Sequence, residues 1–485
     1  MSRLVVVSNR VALPEESRAG GLAIALLDAL REDGGVWFGW SGTVDPHASG
    51  RIHEQQDGNI RYVTMDLSTQ DHADYYNGFA NRTLWPLLHF RMDLVDYDRG
   101  TFAGYKRVNA LFADKLAPLL RDDDLVWIHD YHLIPLARQL RERGVRCRIG
   151  FFLHVPMPSS DLLAALPGHQ LLFEGLSSCD LVGFQTERDL ERFQDYVRLF
   201  GGGRVLERGL LEAPDGRRFH AGAFPISIDT ARIAELAREA AAKSGVKRLV
   251  ASMSGRQLAI GVDRLDYSKG LPERFKGFAN YLRRYPQQRG QLTFLQIAPV
   301  SRGGVAEYRK LRSELEQLSG NINGRFAEPD WTPIRYVNRN FPHAALTGFY
   351  RLAKLGLVTP LRDGMNLVAK EFVAAQDPDD PGVLLLSPFA GAARELGGAL
   401  VANPYDLDGT GDAIAQAMTM PREERRERWQ GMFQHLLTHD ITYWRRSYLA
   451  ALRTARDVIE DRGYVVERRA QQRRRDDASH DARPH

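Results

Sequence analysis

Two doubly wound parallel α/β sheets, one in each half of the chain, are predicted by three observations. Short apolar runs of four to seven residues alternate with longer helical patterns throughout the sequence. Neighbouring parallel strands need helical crossovers, so such alternation is typical of doubly wound folds. The 485 residues also exceed what a single compact core supports.

The predicted strands are apolar runs rich in β-branched and aromatic residues, each ended by polar or turn-forming residues. In the first half they are LVVVS, LVWIH, RIGFFLH, DLVGFQ and GAFPIS, with helical patterns at Gly21–Arg31, Tyr105–Leu120 and Pro135–Arg143. In the second half they are LAIGV, LTFLQIA, IRYVN, LGLVTP and GVLLLS, with helical patterns at Pro272–Tyr285, Val305–Leu318 and Leu367–Ala375.

A domain boundary is expected near Ile228–Val246, where an Ala-rich charged segment separates the two strand series. We therefore predict one domain over residues 1–235 and a second over 236–440. A last helical pattern, Asp440–Ile459, is expected to cross back onto the first domain as a segment of residues 441–461. Residues 462–485 lack apolar periodicity and are predicted to be a disordered basic tail.

Composition narrows the class of protein. Hydrophobic residues make up 44% and charged residues 26%, as in ordinary globular proteins. The N-terminal MSRLVVVSNR has too short an apolar run for a signal peptide, and no stretch approaches the roughly 18 apolar residues of a membrane span. No membrane association is therefore expected. Cys147 and Cys179 are the only cysteines, which favours a reducing, cytoplasmic setting.

The net charge of +4 does not indicate a nucleic-acid partner. Seven arginines and four acids in residues 462–485 place +3 of it in the tail, so the rest of the chain is nearly neutral. A nucleic-acid-binding domain needs a basic face that follows the phosphate backbone. No nucleic-acid partner is expected.

Candidate ligand-binding residues follow from the rule that ligands gather at the carboxyl ends of parallel strands. Polar residues stand at six of the predicted strand ends, and four of the six carry an arginine. These ends are Ser8-Asn9-Arg10, His129-Asp130-Tyr131, His154, Arg264-Leu265-Asp266, Ser301-Arg302 and Arg362-Asp363-Gly364.

The stretch RLDYSKG places Arg264 and Lys269 five residues apart after a strand. An arginine fork and a lysine point charge suit a diphosphate. Salt bridges to Asp263 and Asp266 would explain the same spacing, and the residues alone do not decide between the two.

A second signal is RDGMNLVAKE, Arg362 to Glu371. Asn366 is predicted to cap a helix whose first N–H groups, on Leu367 and Val368, form an anion site. Glu371, one turn later, could accept both hydroxyls of a ribose. An ordinary capped helix with an exposed glutamate is the alternative.

Three weaker signals lie in the first half. Gly20 and Gly21 in RAGGLA would allow close approach of a ligand to the backbone, or simply turn the chain. HDYH, His129 to His132, lacks metal-ligand spacing because neighbouring strand residues face opposite ways, so no metal is expected and Asp130 is interpreted as a sugar-hydroxyl acceptor. Tyr76 and Trp85 could line a sugar pocket, as His154 could reach a ligand, but all three could also be core residues.

Together these segments resemble the trehalose-6-phosphate synthases, retaining glycosyltransferases of family 20 with two facing Rossmann-like domains, the GT-B architecture. The resemblance runs in order from Leu4 to about Asp406. Its stretches are LVVVSNR, AGGLA, WFGWSG, YYNGFANRTLWPLLH, VWIHDYHL, GFFLHVPMP, DLVGFQT, RLDYSKGLPER, DWTP, LVTPLRDGMNLVAKEFVA and VANPYD.

The resemblance implies a role for each matching residue. Arg264 and Lys269 would bind the diphosphate of UDP-glucose and neutralise the leaving UDP, and Glu371 would take the ribose hydroxyls. Phe341 would contact the uracil. The remaining donor-binding residues would be Gly20, Gly21, Asp363, Gly364, Met365, Asn366, Leu367 and Val368.

The acceptor implied by the resemblance is glucose 6-phosphate. Its phosphate would be held by Arg10, Tyr76 and Arg302, and its sugar positioned by Trp85 and Asp130. His154 would contact the donor glucose near the reacting carbon. No cofactor is implied, and the family tendency is towards homo-oligomers.

The sequence offers no obvious carboxylate pair for a double displacement. The resemblance implies retention by front-face attack, in which the departing phosphate oxygen takes the acceptor's proton. Another acceptor such as glycerol 3-phosphate, or an ADP or GDP donor, would use the same fold. A binding-only homologue would be expected to lose Arg264, Lys269, Asp363 or Glu371, all present in this chain. A hydride-transfer enzyme is disfavoured because GxGxxG is missing.

Overall fold

The computed structural model describes residues 2–14, 21–47, 50–207, 209–300 and 306–456. The chain forms two compact units. Within the described residues, one comprises those up to Phe224 together with 445–456, and the other lies in Pro225–Trp444. No helix within the described ranges is long and apolar enough to cross a membrane.

The first unit contains a ten-stranded sheet. Its strands are β1 Leu4–Arg10, β2 Gly35–Val44, β3 Ile52–Asp57, β4 Ile60–Leu67, β5 Leu125–His129, β6 Arg148–Phe152, β7 Leu181–Phe184, β8 Arg204–Val205, β9 Leu210–Glu212 and β10 Arg218–Ala223. The order is β3-β4-β2-β1-β5-β6-β7-β10-β9-β8, and the seven strands from β4 to β10 run parallel. The outer strands pair antiparallel: β3 with β4, β9 with β10, and β8 with β9.

α-Helices, one π-helix and short 3-10 turns connect these strands. The α-helices are α1 Gly21–Asp33, α2 Thr69–Asp71, α3 Trp85–Leu88, α4 Arg99–Leu116, α5 Leu136–Glu142, α6 Ser160–Ala164, α7 His169–Ser177 and α8 Glu187–Leu199. His72–Leu84 forms a π-helix, and Met92–Leu94, Ala117–Leu119 and Tyr131–Leu133 are 3-10 turns.

The second unit contains a six-stranded sheet that is parallel throughout. Its strands are β11 Gln257–Val262, β12 Leu292–Ile297, β13 Ile334–Val337, β14 Leu355–Val358, β15 Val383–Leu386 and β16 Leu400–Val401, in the order β13-β12-β11-β14-β15-β16. Its α-helices are α9 Thr230–Ala240, α10 Ser244–Met253, α11 Leu271–Arg284, α12 Ala306–Phe326, α13 His343–Leu352, α14 Leu367–Ala375, α15 Leu407–Thr419 and α16 Arg422–Thr438. Short 3-10 turns occur at Tyr267–Lys269, Pro286–Gln288 and Gly391–Arg394.

Each sheet has one topological switch point. In the first sheet, the chain leaves β1 for β2 on one side and returns to β5 on the other. In the second, it leaves β11 for β12 and returns to β14. Crevices at the carboxyl ends of strands open at such points, so β1/β5 and β11/β14 are where ligand-binding residues are expected.

Residues 445–456, the larger part of a C-terminal helix, pack against the first sheet within the first unit. The Tyr448 hydroxyl donates to the Phe151 carbonyl oxygen at 3.0 Å, and its ring stacks on Trp127 with 4.9 Å between centroids. Two strand glycines make room for this ring, because a Cβ would lie 2.5 Å from the Tyr448 hydroxyl oxygen at Gly150 and 2.7 Å from its ring at Gly183.

The predicted fold class is confirmed, with two differences in the first sheet. No strand was predicted between β1 and β5, whereas β2 and β4 both lie there and β3 pairs with β4. The predicted strand GAFPIS ends earlier, at Ala223, because Pro225 has no N–H with which to continue a ladder.

Candidate active site

Asp130 lies at the first switch point, directly after β5. Its φ of 73° is unusual for a residue other than glycine. The conformation is held by two hydrogen bonds: the Asp130 N–H donates to the Phe152 carbonyl oxygen at 2.8 Å, and Oδ1 accepts from the His154 N–H at 3.2 Å. Such backbone strain costs about 1–3 kcal/mol and clusters at functional sites.

His154 follows β6 and takes part in a line of polar side chains at the carboxyl ends of β5, β6 and β7. Its Nε2 lies 3.0 Å from Nδ1 of His129, and its Nδ1 lies 3.4 Å from Nε2 of Gln185. Burial lowers the pKa of His154 to about 3 and lowers the pKa of His129 well below its usual value. Both imidazoles are therefore neutral at physiological pH.

Arg10, at the end of β1, is exposed and lies opposite Trp40 of β2. Its guanidinium passes close to Gly42, where a Cβ would lie 2.9 Å from Nε. The Trp40 ring lies 5.7 Å from the ring of Tyr76, which stacks on His132 at 5.7 Å. The sequence-predicted Arg10 and Tyr76 thus share Trp40 as a neighbour.

The Trp85 side chain is more buried than Arg10, Tyr76 and Asp130, the other described residues predicted to bind the acceptor. It is 4% exposed, and its ring lies 4.0 Å from His89 and 5.7 Å from Tyr131 between centroids. Tyr131 adjoins Asp130 in the chain, so Trp85 supports the segment that follows β5. Only a small part of the indole is open to a ligand.

In the second unit, the loops after β11 and β14 meet at the switch point. The Lys269 ammonium lies 2.5 Å from Oδ2 of Asp363, and that oxygen also accepts from Nδ2 of Asn366 at 3.0 Å. Arg264 is exposed at the end of β11. The structure therefore brings together Lys269, Asp363 and Asn366, three of the predicted donor-binding residues.

Asp263 and Asp266, the carboxylates nearest to Lys269 in the sequence, make other contacts. Asp263 pairs with Arg274 at 2.6 Å. Asp266 accepts from the Ser268 N–H at 2.9 Å and from the Tyr308 hydroxyl at 3.1 Å. The ion-pair partner of Lys269 is instead Asp363, from the other loop.

Arg274, which no sequence pattern marked as a site residue, organises this region. It is 1% exposed, and its guanidinium donates to Asp263, to Oε1 of Gln296 at 2.9 Å and to Oγ1 of Thr359 at 3.0 Å. A further donation, at 3.3 Å, reaches the carbonyl oxygen of Lys269. One buried cation thus ties the ends of β11, β12 and β14 to the backbone that carries Lys269.

Helix α14 begins as the sequence predicts. Asn366, with a φ of 74°, is the N-cap, and its side chain accepts from the Ala369 N–H at 3.3 Å. The N–H groups of Leu367 and Val368 precede the first intrahelical bonds and can bind an anion. Met365, which precedes the cap residue, is buried at 3% exposure.

Glu371, one turn into α14, has polar neighbours on α13. Its Oε2 accepts from the Tyr350 hydroxyl at 3.5 Å, and its Oε1 lies 3.6 Å from Nε2 of His343. This carboxylate raises the pKa of His343. Phe341, two residues before His343 in the chain, packs edge-on against Phe349, with 5.5 Å between the ring centroids.

Gly364 lies against the loop that precedes the last strand. A Cβ on Gly391 would lie 1.9 Å from the Gly364 carbonyl oxygen, so the two loops touch through their backbones. Gly21 begins α1. The predicted Gly20 and Arg302, like the predicted tail at 462–485, lie outside the described residues.

Two largely parallel sheets with polar residues at both switch points, and a lysine beside a capped helix N-terminus, are typical of a two-domain α/β enzyme that binds phosphorylated ligands. The family model for glycosyltransferase family 20 matches residues 3–454, and the chain belongs to this family.

Named relatives and solved structures agree with that membership. A trehalose-6-phosphate synthase of Sinorhizobium fredii is 52% identical over 462 residues, which cover 94% of this chain and 99% of the relative. A crystal structure of an α,α-trehalose-phosphate synthase (UDP-forming) from Burkholderia xenovorans, in complex with glucose-6-phosphate, is 49% identical with a TM-score of 0.90 and covers 93% of this chain and 100% of that one. The Escherichia coli protein bound with UDP-2-fluoro glucose is 46% identical with a TM-score of 0.89, covering 93% and 99%. The predicted family resemblance is confirmed.

Proposed function

We propose that this chain transfers glucose from UDP-glucose to glucose 6-phosphate with retention, giving α,α-trehalose 6-phosphate and UDP. The observation that carries the proposal is the pairing of Lys269 with Asp363 beside the N-terminus of α14, at a switch point. The relatives bound to glucose-6-phosphate and to UDP-2-fluoro glucose support both substrates.

The donor is assigned to residues 236–440. Arg264, Lys269 and the N–H groups at the start of α14 are positive groups that can bind a diphosphate. Glu371 takes the ribose hydroxyls, and Phe341 contacts the base. Asp363, Gly364 and Asn366 face the donor glucose and its phosphates.

The acceptor is assigned to Arg10, Tyr76, Trp85, Asp130 and Arg302. A sugar phosphate carries roughly −1.5 to −2 charge at neutral pH, which Arg10 and Arg302 match, while Tyr76 donates its hydroxyl. Asp130, held at positive φ beside His154, accepts a hydroxyl of the acceptor sugar.

The reaction proceeds on one face of the donor sugar. The bond from the anomeric carbon to the β-phosphate oxygen breaks, the anomeric oxygen of the acceptor bonds to that carbon, and its proton passes to the departing phosphate oxygen. Negative charge grows on the diphosphate as the bond breaks, so cations aimed there stabilise the transition state more than the ground state. His154, neutral because burial lowers its pKa to about 3, serves as a hydrogen-bonding group rather than an acid.

The test is release of nucleotide from UDP-, ADP- and GDP-glucose, with glucose 6-phosphate or glycerol 3-phosphate as acceptor. We expect release of UDP and formation of the disaccharide phosphate with glucose 6-phosphate. Greater activity with another donor or acceptor would identify the enzymatic alternatives. Absence of release with every donor would support a binding-only homologue.

Two variants test the assigned roles. Lys269→Met should lower kcat on the order of 100-fold, since one preorganised charge is lost. Lys276→Met is the control, because the Lys276 side chain is 42% exposed and its ammonium lies 3.7 Å from the Glu314 carboxylate. Asp130→Asn should leave measurable transfer, whereas a trapped glucosyl–protein adduct would contradict front-face attack.

Two further properties belong to the same proposal. Both cysteines are buried free thiols, which suits a reducing compartment, so we assign the chain to the cytoplasm. We also propose that it forms homo-oligomers. Light scattering on the purified protein decides this, and a monomeric mass across the concentration range would refute it.

A further inference from the structure

Gln185 contributes to the line of polar side chains at the ends of β5, β6 and β7, and it has no part in the proposed reaction so far. It follows β7 in the segment GFQT and is 1% exposed. Its amide nitrogen lies 3.4 Å from Nδ1 of His154 and 3.5 Å from the His154 carbonyl oxygen. A buried amide facing both atoms of one residue constrains that residue's hydrogen bonding.

The orientation of the amide follows from the carbonyl. A carbonyl oxygen only accepts hydrogen bonds, so the nitrogen end of the Gln185 amide must face it. The same NH2 group then also faces Nδ1 of His154, which must be the unprotonated ring nitrogen. The single proton of the neutral imidazole is left on Nε2.

The neighbouring imidazole completes the sequence of donors and acceptors. With its proton on Nε2, His154 donates to Nδ1 of His129 at 3.0 Å. His129 therefore carries its own proton on Nε2, a buried atom that has no hydrogen-bond partner among the described residues. Leaving a buried N–H unsatisfied is unfavourable, and such a group in a native structure calls for a functional explanation.

We propose that Gln185 is a positioning residue that holds His154 as the Nε2–H tautomer, with His129 as the resting acceptor of that hydrogen. His154 is itself partly exposed, unlike its two partners. Its Nε2–H is thus an uncharged hydrogen-bond donor. When UDP-glucose binds, a sugar oxygen replaces His129 as the acceptor of this hydrogen. This last step rests on the proposed function; the assignment of the tautomer does not.

The first measurement is the tautomer of the resting enzyme. In protein labelled with 15N-histidine, long-range nitrogen–proton correlation spectra distinguish a protonated ring nitrogen from an unprotonated one. The His154 signals are assigned by their loss in His154→Gln. We expect Nε2 protonated and Nδ1 unprotonated, and the reverse pattern would overturn the proposal.

The second measurement changes Gln185 without changing its shape. Glu at this position can only accept, so Gln185→Glu should move the His154 proton to Nδ1 and lower kcat about 100-fold, the effect of losing one transition-state donor. The KM for glucose 6-phosphate should stay within twofold. Gln139→Glu is the matched control, since its side-chain oxygen already accepts from Arg143 at 3.1 Å and a carboxylate would keep that bond.

Gln185→Met provides the test if a buried carboxylate prevents folding. It keeps the length of the side chain and removes the donor, so both tautomers of His154 should be populated and kcat should fall about twofold, in proportion to the remaining Nε2–H form. A merely structural role would instead lower the melting temperature and leave tautomer and kcat unchanged, which would refute the proposal. A wild-type enzyme with the expected tautomer but no transfer activity would refute the proposed function alone.

Discussion

Gly270→Ala tests whether the backbone that carries Lys269 needs its present geometry. Gly270 has a φ of 63°, and a Cβ there would lie 2.5 Å from the Thr359 carbonyl oxygen. Left-handed backbone costs a residue with a side chain about 1–2 kcal/mol, and overpacking adds about 1–3 kcal/mol. The free energy of unfolding should therefore fall by about 2–5 kcal/mol.

Gly290→Ala separates these two contributions. Gly290 is in the same unit and has a φ of 75°, but a Cβ there would have no atom within 4 Å. Only the backbone cost applies, about 1–2 kcal/mol. Thermal unfolding should place Gly270→Ala roughly 2–12 °C below Gly290→Ala, since 1 kcal/mol shifts the melting temperature of a domain this size by about 2–4 °C.

Kinetics complete the comparison of the two variants. Thr359 accepts from Arg274, which also donates to the Lys269 carbonyl oxygen. Displacing Thr359 should therefore misplace Lys269 and lower kcat/KM for UDP-glucose at least about tenfold, since transition-state contacts are sensitive to shifts near 1 Å. Equal melting temperatures and equal kcat/KM in the two variants would refute this reasoning.

Three further outcomes are expected. Asp363→Asn should release Lys269 and tighten UDP binding about fivefold by calorimetry, the equivalent of an ion pair of about 1 kcal/mol; weaker binding would contradict the pairing. Burial lowers the pKa values of His129 and His154, so below about pH 6.5 the unfolded chain binds more protons than the folded chain. The free energy of unfolding should therefore fall by about 3 kcal/mol between pH 7.5 and 5.5. Urea titrations measure this, and a free energy of unfolding that does not change with pH would refute the burial argument. The raised pKa of His343 has the opposite effect on stability. Its contribution to the free energy of unfolding is complete below about pH 6.5 and is lost as pH rises through the raised value. The melting-temperature difference between wild type and His343→Gln should therefore shrink as pH rises.

Local patterns in the sequence predicted the parts of the site that depend on neighbouring residues. Helix α14 has the predicted bounds Leu367–Ala375 and the predicted cap Asn366, because capping is decided within four residues. Polar strand ends likewise follow from the apolar runs before them. The placement of Asp130 at the end of β5 needed only the run LVWIH and the rule for parallel sheets.

Long-range pairing could not be predicted in the same way. Arg274 lies in a helix that begins LPERF, where an arginine normally faces solvent, and only the fold shows it buried against Gln296, 22 residues away. Strand β2 was missed because WFGWSG shows neither alternation nor a pure apolar run. The pairing of Lys269 with Asp363 spans 94 residues and depends on strand order, which local patterns do not encode.

The partner of Lys269 also bears on how the proposed reaction is driven. An arriving diphosphate finds this ammonium already 2.5 Å from a carboxylate, so binding exchanges one oxygen anion for another and gains little in the ground state. As the glycosidic bond breaks, charge on the diphosphate rises while that on Asp363 does not. The contact of Lys269 with the phosphate then becomes more favourable than its contact with Asp363. The ion pair with Asp363 therefore makes Lys269 stabilise the transition state more than the bound substrate, which lowers the barrier. Asn366, which donates to the same Asp363 oxygen, keeps the carboxylate hydrogen-bonded when the lysine leaves it.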